Sequence, residues 1–423
     1  MTGRLRRIAI DTTPLRHPAY RRLFVGQGVA FVGFQVTAVA VPVQVYDISR
    51  SSFWVGILGV VGLVPLVVFG LWGGAVADAV DRRKLLLVSS WVTWVVTLAL
   101  LAQAMAGLDN LPLLLVLVAV QSAAFAVTSP TRNAIIPRLL DRSLVPAANT
   151  LNFTVTNVGT VAGPLLAGVV IARYGGFPAA YAIDAVLFTV ALFAAYRLPP
   201  LPPIAEADQL SRPGLRSVAE GLRFIAVQPV LLMSFVVDII AMVFAMPRAL
   251  FPEVAETRFG GEQAVGWLFA AVAIGAVVGG LSSGWIGRVR RQGVALTAAI
   301  VVWGAAVALS GLAATLWLTV VLLAVAGAAD LVSAVFRQTI LQVYAPDEMR
   351  GRLQGVFIVV VAGGPRLGDL RAGATAAVAG ATFSWTVGGI ACIVAVVLAA
   401  LAVPAFLRYD AGAAQPARTD PVG

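Results

Sequence analysis

The chain has 423 residues, of which 60% are hydrophobic and only 12% carry a charge. Soluble proteins are about 25% charged and about 45–50% apolar, so the composition excludes a water-soluble surface and predicts that most of the chain contacts lipid or other apolar helices. The formal net charge is +10. The chain has one Cys and one His, which excludes an intrachain disulfide and argues against a Cys/His metal site or a Cys–His catalytic pair.

Twelve stretches are long and apolar enough to cross a membrane, because a helix needs about 20 such residues to span roughly 30 Å of hydrocarbon. The predicted spans are 24–46, 54–78, 84–106, 111–131, 147–171, 177–197, 228–250, 264–287, 293–313, 316–338, 353–375 and 381–406. The first has no clear cleavage site and is interpreted as a retained span, not a signal peptide.

The connections are short except for the proline-rich stretch 198–227. The sequence therefore predicts an all-α integral membrane protein made of two six-helix bundles. The N-terminal bundle comprises residues 1–197 and the C-terminal bundle residues 228–423, which includes a short cytoplasmic tail, and 198–227 is a cytoplasmic linker.

Lys and Arg residues are concentrated in the termini and in alternate connections, whereas the connections assigned to the outer side contain only Arg50, Arg173 and Arg258. This positive-inside asymmetry predicts that both termini are cytoplasmic. It also explains the basic composition without a nucleic-acid partner.

The connection between spans 2 and 3 contains Gly74, Asp78 and the run Asp81-Arg82-Arg83-Lys84. A carboxylate at the end of a span beside a basic turn can hold helix ends together through charge-assisted hydrogen bonds. The spacing resembles the loop signature of the major facilitator superfamily, with Asp81 in place of its second glycine. We therefore expect Gly74, Asp78, Arg82 and Arg83 to form a conformational loop motif, although basic residues here also suit ordinary positive-inside topology.

Span 5 contains small residues at four-residue spacing around Gly159, Gly163, Pro164 and Gly168. Such residues let helix backbones approach closely, and the proline removes a hydrogen-bond donor and bends the helix. The stretch resembles the superfamily's antiporter signature, with Ala167 replacing one glycine. That resemblance favours export over import, while simple helix packing would use the same pattern.

The two halves of the chain contain related motifs. Gly74 aligns with Gly280 at an offset of 206, and Arg132 aligns with Arg337 at an offset of 205. Two six-span halves with repeated motifs are typical of secondary transporters, whose substrate sites lie near the bilayer midplane. Chance similarity between Gly- and Ala-rich helices is the alternative.

Ionisable residues inside predicted spans are costly and mark functional positions. Asp238 in span 7 and Asp330 in span 10 lie near mid-depth, in spans that line the central cavity in the superfamily. A carboxylate desolvated there can bind and release a proton near neutral pH, so both are proton-coupling candidates. Arg366 and Asp369 in span 11 share a helix face, either as a mutually neutralising pair or as part of the substrate cavity.

Uncharged polar and aromatic residues supply further substrate-cavity candidates, namely Gln35 in span 1 and Gln121 and Phe125 in span 4. Interhelical hydrogen bonding is the simpler explanation for each amide. The mid-span arginine of many drug antiporters is missing from span 4, and Arg132 follows at its inner end.

Five segments spread along the chain resemble the bacterial enterobactin (siderophore) exporter type of major facilitator transporters: 17–27, 39–56, 213–224, 246–256 and 345–357. The resemblance implies proton-driven export of a siderophore or a drug-like amphipathic molecule by alternating access across the bacterial cytoplasmic membrane. It implies no cofactor beyond the proton gradient and no obligatory protein partner. The alternatives are an uptake symporter and, less favoured, a receptor or a membrane enzyme. An ATP-driven pump is disfavoured, because the sequence lacks the phosphate-binding loop that such a pump uses.

Overall fold

The computed structural model describes residues 11–202, 215–346 and 349–410. Throughout these ranges the regular elements are helices. The first six are α1 (Pro18–Ser49), α2 (Ser52–Ala79), α3 (Arg82–Met105), α4 (Leu111–Leu139), α5 (Val145–Arg173) and α6 (Gly176–Tyr196). The next nine are α7 (Leu215–Val227), α8 (Pro229–Ala245), α9 (Phe251–Arg258), α10 (Glu262–Leu281), α11 (Gln292–Leu312), α12 (Leu316–Tyr344), α13 (Arg350–Ala379), α14 (Ala381–Ala402) and α15 (Pro404–Leu407).

Twelve helical segments of the described residues are long and apolar enough to cross a membrane. The predicted all-α class and the number of spans are therefore confirmed. Several helices extend beyond the predicted spans: the stretch predicted as 24–46 is α1, which runs from Pro18 to Ser49. Hydropathy detects only the apolar part of a helix, whereas the backbone hydrogen bonds continue into its polar ends.

The extension matters most at α4, which ends at Leu139 and not near residue 131. Arg132 is consequently an internal residue of this helix. The polar groups after position 131 interrupt the apolar pattern, but they do not interrupt the helix.

Side-chain caps define the starts of three membrane helices. Asp81 accepts hydrogen bonds from the backbone N–H groups of Arg83 and Lys84 at the start of α3. Asn110 caps α4 and Thr315 caps α12 in the same way. These caps satisfy N–H groups that have no partner within the helix.

The chain divides into two compact units. Unit 1 comprises Met1–Gly214 together with Phe251–Ala270, and unit 2 comprises Leu215–Leu250 together with Ala271–Gly423. The predicted bundle boundaries at 197 and 228 remain predictions. Within the predicted linker 198–227, residues 203–214 lie outside the described part of the chain, and α7 occupies residues 215–227.

Unit 1 is organised around α1, which packs against α5 and α6. On the side of unit 1 that is predicted to face the cytoplasm, a compact apolar cluster contains the fully buried residues Tyr20, Ile135 and Ala148. The Tyr20 hydroxyl donates a hydrogen bond to the Ala148 carbonyl at 3.1 Å. This contact ties the start of α1 to the start of α5.

Unit 2 depends on close backbone approaches between helices. A Cβ atom on Gly275 would overlap the carbonyl oxygen of Ala324, and one on Gly327 would overlap that of Val272. A Cβ on Gly304 would lie 2.9 Å from the Gly389 carbonyl oxygen. Association of membrane helices depends on such small-residue contacts, because lipid offers no hydrophobic driving force between helices.

Candidate functional site

Unit 2 contains an ionic cluster formed by three side chains from two helices. Asp238 lies on α8, and Asp330 and Arg337 lie on one face of α12, two turns apart. The Arg337 guanidinium forms an ion pair with the Asp238 carboxylate. Its Nη2 atom also lies 3.6 Å from Asp330 Oδ1. The structure thus brings the two predicted proton-coupling candidates together through Arg337, which lies at the end of the predicted span 316–338.

The three members of the cluster differ in exposure. The side chains of Asp238 and Arg337 are 4% and 6% exposed, whereas the Asp330 side chain is 36% exposed. Asp238 is therefore enclosed with the guanidinium, and Asp330 remains accessible from outside the packed helices. The Arg337 Nε–H also donates to the Ser333 carbonyl at 3.4 Å, which helps to orient the guanidinium.

The ionisable residues of α13 interact mainly with backbone groups. Arg366 Nη1 donates to the Ala362 carbonyl at 2.9 Å. Asp369 accepts a hydrogen bond from the Ala249 N–H at 3.2 Å. The i, i+3 spacing places Arg366 and Asp369 on one face, but each has its own backbone partner.

Arg371, which follows Asp369 on α13, binds the C-terminal end of α8. Its guanidinium donates to the carbonyls of Val243 and Phe244 at 3.1 and 2.6 Å. These carbonyls belong to the last turn of α8, where the helix leaves acceptors without partners and favours a cation.

A partly open cavity lies within unit 1, and the space inside it that protein atoms do not fill is about 700 Å³ when open solvent is included. Its walls come from α1, α3, α4 and α6, and the predicted residues Gln121 and Phe125 are among them. The other polar or aromatic lining residues are Gln27, Phe31, Phe34, Ser90, Thr93, Thr128, Arg132 and Phe188.

Gln35, the remaining cavity candidate on α1, lies elsewhere. A Cβ atom on Gly163 would overlap the Gln35 Cβ atom, so this part of Gln35 is pressed against α5. Gln35 is not among the residues that line the unit 1 cavity.

The glycines of the antiporter-like motif create close contacts on two sides of α5. A Cβ on Gly159 would lie 2.6 Å from the Phe31 ring, and Gly163 faces Gln35 on the same helix α1. Gly168 faces Gly266 of α10, since a Cβ on Gly168 would lie 3.0 Å from the Gly266 Cα. Pro164 is a buried internal residue of α5.

The loop motif joins α2 to α3. Gly74 and Asp78 lie near the end of α2, and the Asp78 side chain falls outside the described part of the structure. Arg82 Nη1 donates to the Ala134 carbonyl at 3.2 Å, and Arg83 Nη2 donates to the Tyr196 carbonyl at 2.7 Å. The two arginines thereby connect the start of α3 to α4 and α6.

Asp184 on α6 is a further acid within a predicted span, 177–197. Asp184 is 1% exposed. It accepts hydrogen bonds from the hydroxyl groups of Thr37 at 2.7 Å and Thr97 at 3.5 Å. These threonines lie on different helices and carry no motif, so the sequence marks the acid but not its partners.

A second buried polar group in unit 1 was also missed. The Tyr181 hydroxyl donates to Gln44 Oε1 at 2.7 Å, and Gln103 Nε2 donates to the same oxygen at 3.0 Å. Among the described residues, no group of three or more His, Cys, Asp or Glu side chains could hold a metal ion.

Comparison with known proteins identifies the family. A family model described as transmembrane secretion effector matches residues 10–421. The enterobactin exporter EntS of Shigella boydii is 27% identical over 395 residues, which cover 93% of this chain and 94% of that protein. EntS of Escherichia coli matches with the same identity and coverage.

Solved structures show the same fold. The nucleoside transporter NupG superposes with a TM-score of 0.73 at 13% identity, covering 93% of this chain and 100% of that one. A bacterial homologue of the human lysosomal transporter Spinster gives 0.71 at 15% identity, covering 94% and 97%. The predicted major facilitator fold is thus confirmed. The chain belongs to the transmembrane secretion effector family of the major facilitator superfamily and is a multi-pass membrane transporter, not an enzyme.

Proposed function

We propose that this transporter is a proton-coupled exporter that moves a small amphipathic molecule, a siderophore or a drug-like compound, out of the cytoplasm by alternating access. The membrane is the bacterial cytoplasmic membrane, with both termini on its inner side. The energy source is the proton gradient, and the chain needs no cofactor or obligatory protein partner for this activity.

The observation that carries proton coupling is the charge balance of the cluster formed by Asp238, Asp330 and Arg337. One guanidinium faces two carboxylates, so the cluster has an excess negative charge when both acids are ionised. Excess charge at membrane depth is costly. Protonation of one carboxyl group removes the excess and leaves a neutral cluster.

The differing exposure of the acids assigns their roles. Asp238 is enclosed with Arg337 and acts as its permanent counter-ion. Asp330 is 36% exposed and lies further from the guanidinium, so it is the acid that takes up and releases the proton. Loss of its proton strengthens the attraction between Asp330 and Arg337. Proton release thereby changes the forces between charged side chains inside unit 2.

The direction and cargo class rest on other observations. The relatives described above are enterobactin exporters at 27% identity. The glycines of α5 make the close packing associated with the antiporter-like signature. The excess of Arg in segments assigned to the inner side supports cytoplasmic termini.

Transport into inside-out membrane vesicles tests this function. Vesicles containing the full chain receive a proton gradient, acidic inside, and are exposed to a panel of siderophores and hydrophobic drugs. We expect gradient-dependent uptake of at least one compound, which collapses when a protonophore is added. Vesicles lacking the protein control for leakage.

Two results would overturn the proposal. Folded protein that drives no gradient-dependent uptake of any panel member would remove the export assignment. Accumulation of the compounds by intact cells, in place of extrusion, would assign the chain to uptake.

A further inference from the structure

We propose that the cavity in unit 1 is a binding site for an aromatic anion, a ring carrying a carboxylate or phenolate, with Arg132 as the group that receives the negative charge. This inference rests on the proposed export function and names the chemical class of the cargo, or of the part of the cargo, that enters unit 1.

Among the described residues, Arg132 is a cation without a counter-ion. It forms no ion pair among residues 11–202, 215–346 and 349–410, and its buried Nε–H has no hydrogen-bond partner there. The lining of the cavity includes no Asp or Glu side chain. A cation removed from water without compensation is unfavourable, so the cavity attracts an anion.

The internal repeat shows what Arg132 lacks. Its counterpart at an offset of 205 is Arg337, which has two carboxylate neighbours. At the same offset, Asp330 on α12 corresponds to Phe125 on α4. The acid that accompanies the arginine in unit 2 is therefore replaced in unit 1 by an aromatic ring that lines the cavity. A carboxylate for Arg132 would then come from a ligand.

The aromatic walls of the cavity favour a flat ring over an aliphatic chain. Phe34 and Phe125 are stacked, with ring centroids 5.5 Å apart and planes at 9°. Phe31 stacks on Phe34 at 6.4 Å, and Phe188 also lines the cavity. Aromatic faces bind other rings by offset stacking or edge contacts, beyond the burial of apolar area.

Two amides supply the remaining polar recognition. The Gln27 Oε1 atom and the Gln121 Nε2 atom are buried and have no hydrogen-bond partner among the described groups. Both residues line the cavity. Because buried polar groups are nearly always satisfied, they indicate a ligand with its own donor and acceptor, such as a ring hydroxyl beside the anionic group.

The test measures binding to the purified full chain in nanodiscs of neutral lipid by isothermal titration calorimetry. The probes are salicylate, the neutral salicylamide, and cyclohexanecarboxylate, which has the charge but no aromatic ring. We expect saturable binding of salicylate at least tenfold tighter than that of either other probe. Arg132→Gln should weaken salicylate binding at least tenfold, and Arg138→Gln on the same helix, outside the cavity lining, should leave it unchanged.

A second variant tests the role of the missing carboxylate without deleting the arginine. Phe125→Asp should provide Arg132 with an internal counter-ion and abolish salicylate binding, whereas Phe125→Leu should weaken it less than Phe125→Asp. Retained size-exclusion profiles show that each variant is folded.

Three outcomes would overturn the inference. They are equal binding of salicylate by wild type and Arg132→Gln, equal binding of salicylate and cyclohexanecarboxylate, and loss of salicylate binding in nanodiscs containing anionic lipid, which would make the cavity a headgroup site. Binding does not need a proton gradient. Salicylate binding without vesicle transport would therefore overturn the proposed function alone, and transport unaffected by Arg132→Gln would overturn this inference alone.

Discussion

Arg132 on α4 and Arg337 on α12 occupy equivalent positions of the internal repeat, but their electrostatic surroundings differ. Arg337 forms an ion pair with Asp238 and lies near Asp330. Arg132 has no acidic partner within the described residues and lines a cavity. One repeat unit thus supplies its arginine with internal carboxylates, whereas in the other the arginine lines a cavity and has no such partner among the described residues.

This difference predicts opposite effects of the same substitution on stability. Arg337→Gln leaves two carboxylates without their cation and should lower the free energy of unfolding by about 3–5 kcal/mol, the usual cost of breaking a buried pair. Arg132→Gln removes an uncompensated charge and should be neutral or stabilising. Thermal unfolding of both variants in one detergent checks the prediction, and a larger loss for Arg132→Gln would contradict it.

The buried Asp184 carboxylate predicts an unequal effect of two threonine substitutions. Thr37 Oγ1 lies 2.7 Å from Asp184, and Thr97 Oγ1 lies 3.5 Å from it. Thr37→Val should lower the free energy of unfolding by about 1–3 kcal/mol, because it removes the shorter of the two hydrogen bonds to this buried carboxylate. Thr97→Val should cost less. Unfolding measured in detergent compares them, and an equal or reversed order would show that the longer contact matters as much.

The packing of α5 on α1 predicts that Gly163 tolerates no side chain. A Cβ atom there would overlap Gln35, so Gly163→Ala must displace α1 or α5 and should lower both thermal stability and transport. Gly70→Ala is the matched control, since a Cβ on Gly70 meets no described atom within 4 Å. Its effect should be near zero or slightly stabilising. If the two variants have equal melting temperatures, the close approach has no energetic role.

Asp81 stands where the superfamily signature has a glycine, and the structure gives it a local role as the N-cap of α3. Asp81→Ala should lower the free energy of unfolding by about 0.5–2 kcal/mol, the usual cost of losing an N-cap. Asp81→Gly should lower it by only about 0.3 kcal/mol, because glycine is tolerated at this position. Melting temperatures of the two variants provide the measurement. If Asp81→Gly is the more harmful change, Asp81 acts through more than the helix cap.

Much of the fold follows from one-dimensional properties of the chain. The apolar stretches predict the spans because lipid requires each crossing segment to satisfy its own backbone as a helix. Helix ends are less predictable, as at α4, because a hydrogen-bonded helix continues past the point where apolar residues stop. That extension places Arg132 inside the helix.

The candidate site is less accessible to sequence reasoning. Asp238 and Asp330 stand out because charge is rare in a span, but their common partner Arg337 lies at the end of a predicted span, where arginine is common. Contacts between helices, such as that of Thr37 with Asp184, depend on the rotation of each helix about its axis. Periodicity is weak in helices that are apolar all round, so the sequence does not determine these rotations.

The most direct test of proton coupling compares driven accumulation with passive exchange for Asp330→Asn. Both are measured with a transported compound in the same inside-out vesicles, and Asp47→Asn at an exposed ion pair serves as the control. We expect Asp330→Asn to retain exchange of labelled for unlabelled compound at zero gradient but to lose gradient-driven accumulation. Asp47→Asn should retain both. Undiminished gradient-driven accumulation by Asp330→Asn would contradict the assignment of the proton to this residue.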